Sequence, residues 1–95
     1  MSQSLSKILY VEDEPDIQAV AKIALESVGG LTTEVCSSGN EALEKVSVFK
    51  PDLILLDVMM PNMDGPTTMK AIREIPEFTT TPVVFMTAKV QPQEV

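Results

Sequence analysis

Residues 51–58 read Pro51-Asp52-Leu53-Ile54-Leu55-Leu56-Asp57-Val58. The run Leu53–Leu56 is apolar at every position. A proline stands before it and an acid stops it. A short unbroken apolar run bounded in this way reads as a strand buried within a sheet, because a strand with one wet face would alternate. It is the most strand-like stretch of the chain, and its neighbours decide what kind of sheet it belongs to.

Upstream, Ile8-Leu9-Tyr10-Val11 is a second apolar run, stopped by Glu12 and Asp13. Between the two runs the hydrophobic period changes. Ile17, Val20, Ala21, Ala24, Leu25 and Val28 recur at helical spacing and predict one face of an amphipathic helix. Pro15 suits its first turn, and Gly29-Gly30 suits its end. Thr32 to Ser37 carries β-branched residues and reads as a weaker strand. Ser38-Gly39-Asn40-Glu41 has the spacing of a capping box, followed by a short helix with Ala42, Leu43 and Val46 that Pro51 closes.

Downstream, a loop rich in Met, Pro and Gly runs from Val58 to Gly65. Pro66 can open a third helix with Met69 and Ile72, ending near Pro76. Thr79-Thr80-Thr81-Pro82 reads as a turn, and Val83-Val84-Phe85-Met86-Thr87 as a fourth strand. The tail from Ala88 to Val95, with Pro92, can start a further helix. The order is βαβαβαβ. Buried strands separated by helices imply an α/β fold, a parallel sheet with helices on both faces.

Composition narrows the function. The 95 residues carry 7 basic and 14 acidic side chains, a formal charge of −7, with no histidine, no tryptophan and one cysteine. The length suits one domain over residues 1–95. No histidine means no His-based triad, metal site or general base. One cysteine means no internal disulfide, so a small secreted scaffold is excluded. The acidic balance disfavours direct nucleic-acid binding and favours divalent cations or basic surfaces as partners. The polar N-terminus is no signal peptide, and no apolar run approaches a membrane span, so a cytoplasmic location is expected.

In parallel sheets of this kind ligands sit beyond the carboxyl ends of the strands. Glu12 and Asp13 follow the first strand, and Asp57 ends the third. If these strands are neighbours, the carboxylates converge and repel one another. Mg²⁺ relieves that repulsion, since it takes oxygen ligands and works beside phosphate. Thr87 ends the fourth strand at the same edge, where its hydroxyl can donate to an anion over Asp57. An acid after a strand also serves as a loop residue or helix cap, and Asp13, Glu14 and Asp16 all suit the start of the first helix. The Met59, Met60 and Met63 cluster reads as packing, and Cys36 as a buried small hydrophobe.

The segments Ile8–Glu14, Pro51–Gly65 (with Asp57-Val58-Met59-Met60-Pro61-Asn62-Met63-Asp64-Gly65 as the most specific part) and Pro82–Ala88 resemble the receiver domain of two-component response regulators, of the chemotaxis-regulator kind. The resemblance implies a flavodoxin-like, doubly wound parallel sheet in the order 2-1-3-4. It implies that Asp57 accepts a phosphoryl group from a sensor histidine kinase or a histidine phosphotransfer protein. It implies Mg²⁺ held by Asp13 and Asp57, by Glu12 directly or through water, and by the main-chain carbonyl of Met59. Thr87 would bind a phosphoryl oxygen and act as the switch, while Pro61 and Gly65 would shape the loop.

The sequence departs from that family at one end. Receiver domains carry one more strand and helix, with a lysine ending that strand. Lys89, two positions after Thr87, is read as solvent-facing rather than as that lysine. The expectation is a fragment of the family fold, or a chain that self-associates through the exposed edge of its fourth strand. Two other functions stay open: a Mg²⁺-dependent aspartyl-phosphate hydrolase, for which Asp57-Val58-Met59 lacks a second acid, and a non-phosphorylated interaction module. A nucleotide-binding domain is disfavoured by the absence of glycine-rich phosphate loops.

Overall fold

The computed structural model describes residues 6–58, 60 and 64–86. Met59, Pro61, Met63, Thr87 and the segment 88–95, including Lys89, lie outside them, as does the side chain of Val28. The elements are β1 (Lys7–Val11), α1 (Pro15–Ile23) running into a π-helical turn (Ala24–Val28), β2 (Thr32–Cys36), α2 (Gly39–Phe49), β3 (Leu53–Asp57), α3 (Gly65–Arg73), a 3₁₀ turn (Pro76–Phe78) and β4 (Val83–Met86). The strands form one parallel sheet in the order β2-β1-β3-β4. This is the flavodoxin-like arrangement expected from the sequence, and the apolar runs lie in the strands where they were read.

The period of two divides the strand side chains between two layers. Leu9, Val11, Cys36, Ile54 and Leu56 point to one face, where they pack with Ala42 and Val46 of α2, Ile72 of α3, Met60 and Phe78. Ile8 and Tyr10 point to the other face and are also buried. Right-handed crossovers put α1 on that second face, opposite α2 and α3. Among the described residues no helix is long and apolar enough to cross a membrane.

The helix ends follow their sequence signals. Ser38 Oγ accepts the N–H of Glu41 at 3.1 Å, as the capping box requires. The return bond lands one residue early: Glu41 Oε1 accepts the N–H of Ser37 at 2.7 Å. That N–H, with the Lys45 ammonium, holds the Glu41 carboxyl below the usual carboxylate range. Helix α2 ends on Lys50 in the left-handed conformation (φ 55°), its N–H bonded to Val46 O at 2.9 Å before Pro51 stops the chain. Asp64 caps α3, accepting the N–H of Thr67 at 2.9 Å, with Pro66 in the first turn.

Helix α1 and its π-helical turn cover the stretch read as helical, but little of it is buried. None of its residues is fully buried, and Val20 and Ile23 are 69% and 64% exposed. Its apolar stripe is wider than the surface it meets, because α1 and its π-helical extension lie mainly along β2, a strand at one edge of the sheet. Periodicity identifies the side chains that share a face; it does not say how much of that face finds a partner. The turn Pro76–Phe78, which no periodic signal announced, buries Phe78 in the core.

Gly65 sets the distance between α3 and the end of β3. A Cβ there would stand 2.7 Å from the main-chain oxygen of Asp57 and 3.1 Å from Val58 Cα. Both are backbone atoms and cannot turn aside. Replacing Gly65 by Ala is therefore expected to lower the unfolding free energy by about 1–3 kcal/mol, the usual range for overpacking. Urea denaturation measures this; an unchanged midpoint would show that α3 shifts freely.

Candidate functional site

The strand register brings the acids together. Val11 pairs with Cys36 on one side and Leu56 on the other, so β1 and β2 end level and β3 runs one residue further, to Asp57. Glu12 continues the ladder by one bond, donating its N–H to Cys36 O at 2.9 Å. Asp57, the last residue of β3, is paired with Met86 of β4, and Val58 donates to Met86 O at 3.0 Å. Glu12 and Asp57 therefore sit on hydrogen-bonded backbone between neighbouring strands. Both are fully buried, and Asp13, in the loop after β1, is half-buried.

Carboxylate oxygens of Glu12, Asp13 and Asp57 all lie within 4.8 Å of one another. One oxygen of Glu12, Oε2, also accepts the N–H of Glu14 at 3.0 Å. Two buried acids and a third at the rim make a concave, all-oxygen donor set. Such a set suits a hard cation that keeps part of its water shell. It does not suit a soft metal: the chain has no histidine, and the Cys36 thiol is pushed up to about 12, chiefly by burial. The donor chemistry thus fits Mg²⁺. Of the other expected participants, Met59 and Thr87 lie outside the described residues. Thr87 follows Met86, the register partner of Asp57.

Two polar residues near the strand ends carry no sequence signal that singles them out. Gln18 of α1 directs its side-chain amide to the main-chain oxygen of Glu12 and, at 3.2 Å, to Ser37 Oγ. Asp52, at the opposite end of β3, gathers the N–H of Ser6, the hydroxyl of Ser6 and the N–H of Lys7 on one oxygen, each at 3.0 Å. Those donors hold its carboxyl low and tie the start of β1 to that of β3. The cleft lined by Lys7, Glu34, Lys45, Val48 and Phe49 lies toward that same amino-terminal edge, away from the three acids.

Comparison with known proteins places this geometry in a family. The family model of the response regulator receiver domain matches residues 8–95. The chain is 41% identical over 83 residues to the alkaline phosphatase synthesis transcriptional regulatory protein PhoP of Bacillus subtilis, covering 87% of this chain and 33% of that one. It is 36% identical over 83 residues to the transcriptional regulatory protein TrcR of Mycobacterium tuberculosis, covering 87% and 31%. The chain spans about a third of the length of these relatives. Among solved structures it resembles the chemotaxis protein CheY4 of Vibrio cholerae, with a TM-score of 0.84 and 31% identity over 96% of this chain and 75% of that one. It also resembles the N-terminal domain of a response regulator receiver protein from Methanoculleus marisnigri, with a TM-score of 0.80 and 40% identity over 96% and 74%. The family model spans nearly the whole chain and these structures share its sheet, so the chain belongs to the response regulator receiver domain family.

Proposed function

We propose that residues 1–95 act as the phosphoacceptor module of a two-component phosphorelay, with Asp57 taking a phosphoryl group from a sensor histidine kinase or a histidine phosphotransfer protein. The observation that carries this reading is the approach of Glu12, Asp13 and Asp57 to within 4.8 Å at the carboxyl edge of the sheet. In the reaction, an Asp57 carboxylate oxygen forms a bond to phosphorus as the phosphorus–nitrogen bond of the donor phosphohistidine breaks. The imidazole leaves with the bonding electron pair and takes a proton from water, and Asp57 becomes an acyl phosphate.

The residues divide the work. The β3 ladder fixes the nucleophile, so little orientation remains to be gained at the moment of transfer. Glu12, Asp13 and Asp57, with the carbonyl of Met59, would hold Mg²⁺, which when bound offsets the repulsion between carboxylate and phosphoryl oxygens. Thr87 would donate its hydroxyl to a phosphoryl oxygen and move with it, turning the added charge of about −1.5 to −2 into a change of surface. The module is a switch rather than a turnover enzyme: the Asp57-Val58-Met59 stretch lacks the second acid that common aspartyl-phosphate hydrolases use.

Incubation with Mg²⁺ and acetyl phosphate, followed by intact-mass measurement, tests this. A single phosphoryl adduct is expected, stable to acid, lost in base, and absent from Asp57→Asn. Continuous phosphate release without an adduct would instead support the hydrolase, and neither outcome would leave an interaction module.

A second reading concerns the sheet edge. Among the described residues β4 has a strand neighbour on one side alone, and its sequence is uncharged. Val84 and Phe85 are 45% and 40% exposed. An uncharged apolar edge of this kind is a template for strand addition. The 95-residue chain is expected to self-associate through it, and Phe85→Lys to restore a monomer in sedimentation velocity. A wild-type chain that sediments as a stable monomer contradicts this.

A further inference from the structure

Asp13 differs from its two companions. Glu12 and Asp57 are pinned by ladder bonds, whereas Asp13 lies past the end of β1, in the loop that leads into α1. Its position relative to Asp57 is therefore set by whatever holds the segment from residue 12 to α1.

That segment is closed into a ring. Glu14 N–H donates to Glu12 Oε2 at 3.0 Å, Gln18 N–H donates to Glu14 O at 2.9 Å, and the Gln18 side-chain amide returns to the main-chain oxygen of Glu12. The carbonyl it grips belongs to the peptide that joins Glu12 to Asp13. Gripping it fixes the plane of that peptide, and with it the direction in which Asp13 leaves the backbone. The second contact of the same amide nitrogen, to Ser37 Oγ at 3.2 Å, anchors the ring to the end of β2. Ser37 is itself held through its N–H by Glu41 of α2. An amide offers two N–H donors, and here two acceptors on two strand ends receive them.

We infer that Gln18 is a positioning residue for the acid cluster: its amide holds the Glu12–Asp13 peptide so that Asp13 keeps a carboxylate oxygen within 4.8 Å of those of Glu12 and Asp57, where one Mg²⁺ could draw on them. The inference rests on the functional reading above and adds a residue to it. Mg²⁺ requires short, near-octahedral oxygen contacts, whereas Ca²⁺ accepts longer and more irregular ones. Loosening Asp13 thus penalises Mg²⁺ more than Ca²⁺. Loss of a hydrogen-bonded support costs metal sites about tenfold or more in affinity.

The test is calorimetric titration of the 95-residue chain with Mg²⁺ and, separately, Ca²⁺, for the wild type, Gln18→Met and Ser37→Ala, with urea unfolding of each in the absence of metal. Gln18→Met keeps the length and volume of the side chain and removes its donors. The expected result is about a tenfold loss of Mg²⁺ affinity, a smaller loss for Ca²⁺ and so a lower Mg²⁺/Ca²⁺ ratio, with a change of the same sign and smaller size in Ser37→Ala. An unchanged ratio in Gln18→Met overturns the inference, whether both affinities hold or both fall in step with stability. A wild type that binds no Mg²⁺ would overturn the functional reading itself.

Discussion

The structure turns on an electrostatic conflict held in place by backbone hydrogen bonds. Oxygens of Glu12, Asp13 and Asp57 stand within 4.8 Å of one another, and two of the three residues have no contact with solvent. Ionised carboxylates at that separation repel by about 3 kcal/mol per pair at the effective dielectric of a protein surface. Glu12 and Asp57 stay close because their backbones are fixed to neighbouring strands. Slipping either strand by one residue would turn its core side chains, Leu9 and Val11 or Ile54 and Leu56, to the wrong face. The core therefore enforces the crowding, and a hard divalent cation is the natural relief.

The same scaffold explains the arrangement around the cluster. Because β1 and β3 are neighbours, their carboxyl ends meet at the point where the connections diverge, the one from β1 toward α1 and the one from β3 toward α3. Local devices then trim the geometry. Gly65 lets α3 start against the backbone of Asp57 and Val58, Asp64 caps that helix, and Gln18 ties the loop after β1 to the end of β2. At the far edge Asp52 fastens β1 to β3.

Much of this was legible in the sequence, for identifiable reasons. Strands buried on both faces leave unbroken apolar runs, and Ile8–Val11 and Leu53–Leu56 are such runs; the acids that stop them mark the edge where the carboxylates cluster. The Ser38 to Glu41 cap was legible because its chemistry is local. What escaped depended on contacts distant in sequence. The stripe of α1 told which side chains share a face but not how much of it is covered, and its position along an edge strand leaves Val20 of that stripe exposed. Phe78 is buried from a turn that has no period to betray it. Gln18 acts through main-chain oxygen and hydroxyl acceptors that nothing in its own neighbourhood in the chain announces.

The most direct measurement is the thermal unfolding midpoint as a function of Mg²⁺ concentration at constant ionic strength, for the wild type and Asp57→Asn. If the crowded acids form one cation site, the wild-type midpoint climbs with Mg²⁺ as binding to the folded state requires. Asp57→Asn should then start from a higher metal-free midpoint, its repulsion relieved, and respond less. A wild-type midpoint indifferent to Mg²⁺, with Asp57→Asn no more stable in its absence, would contradict the account.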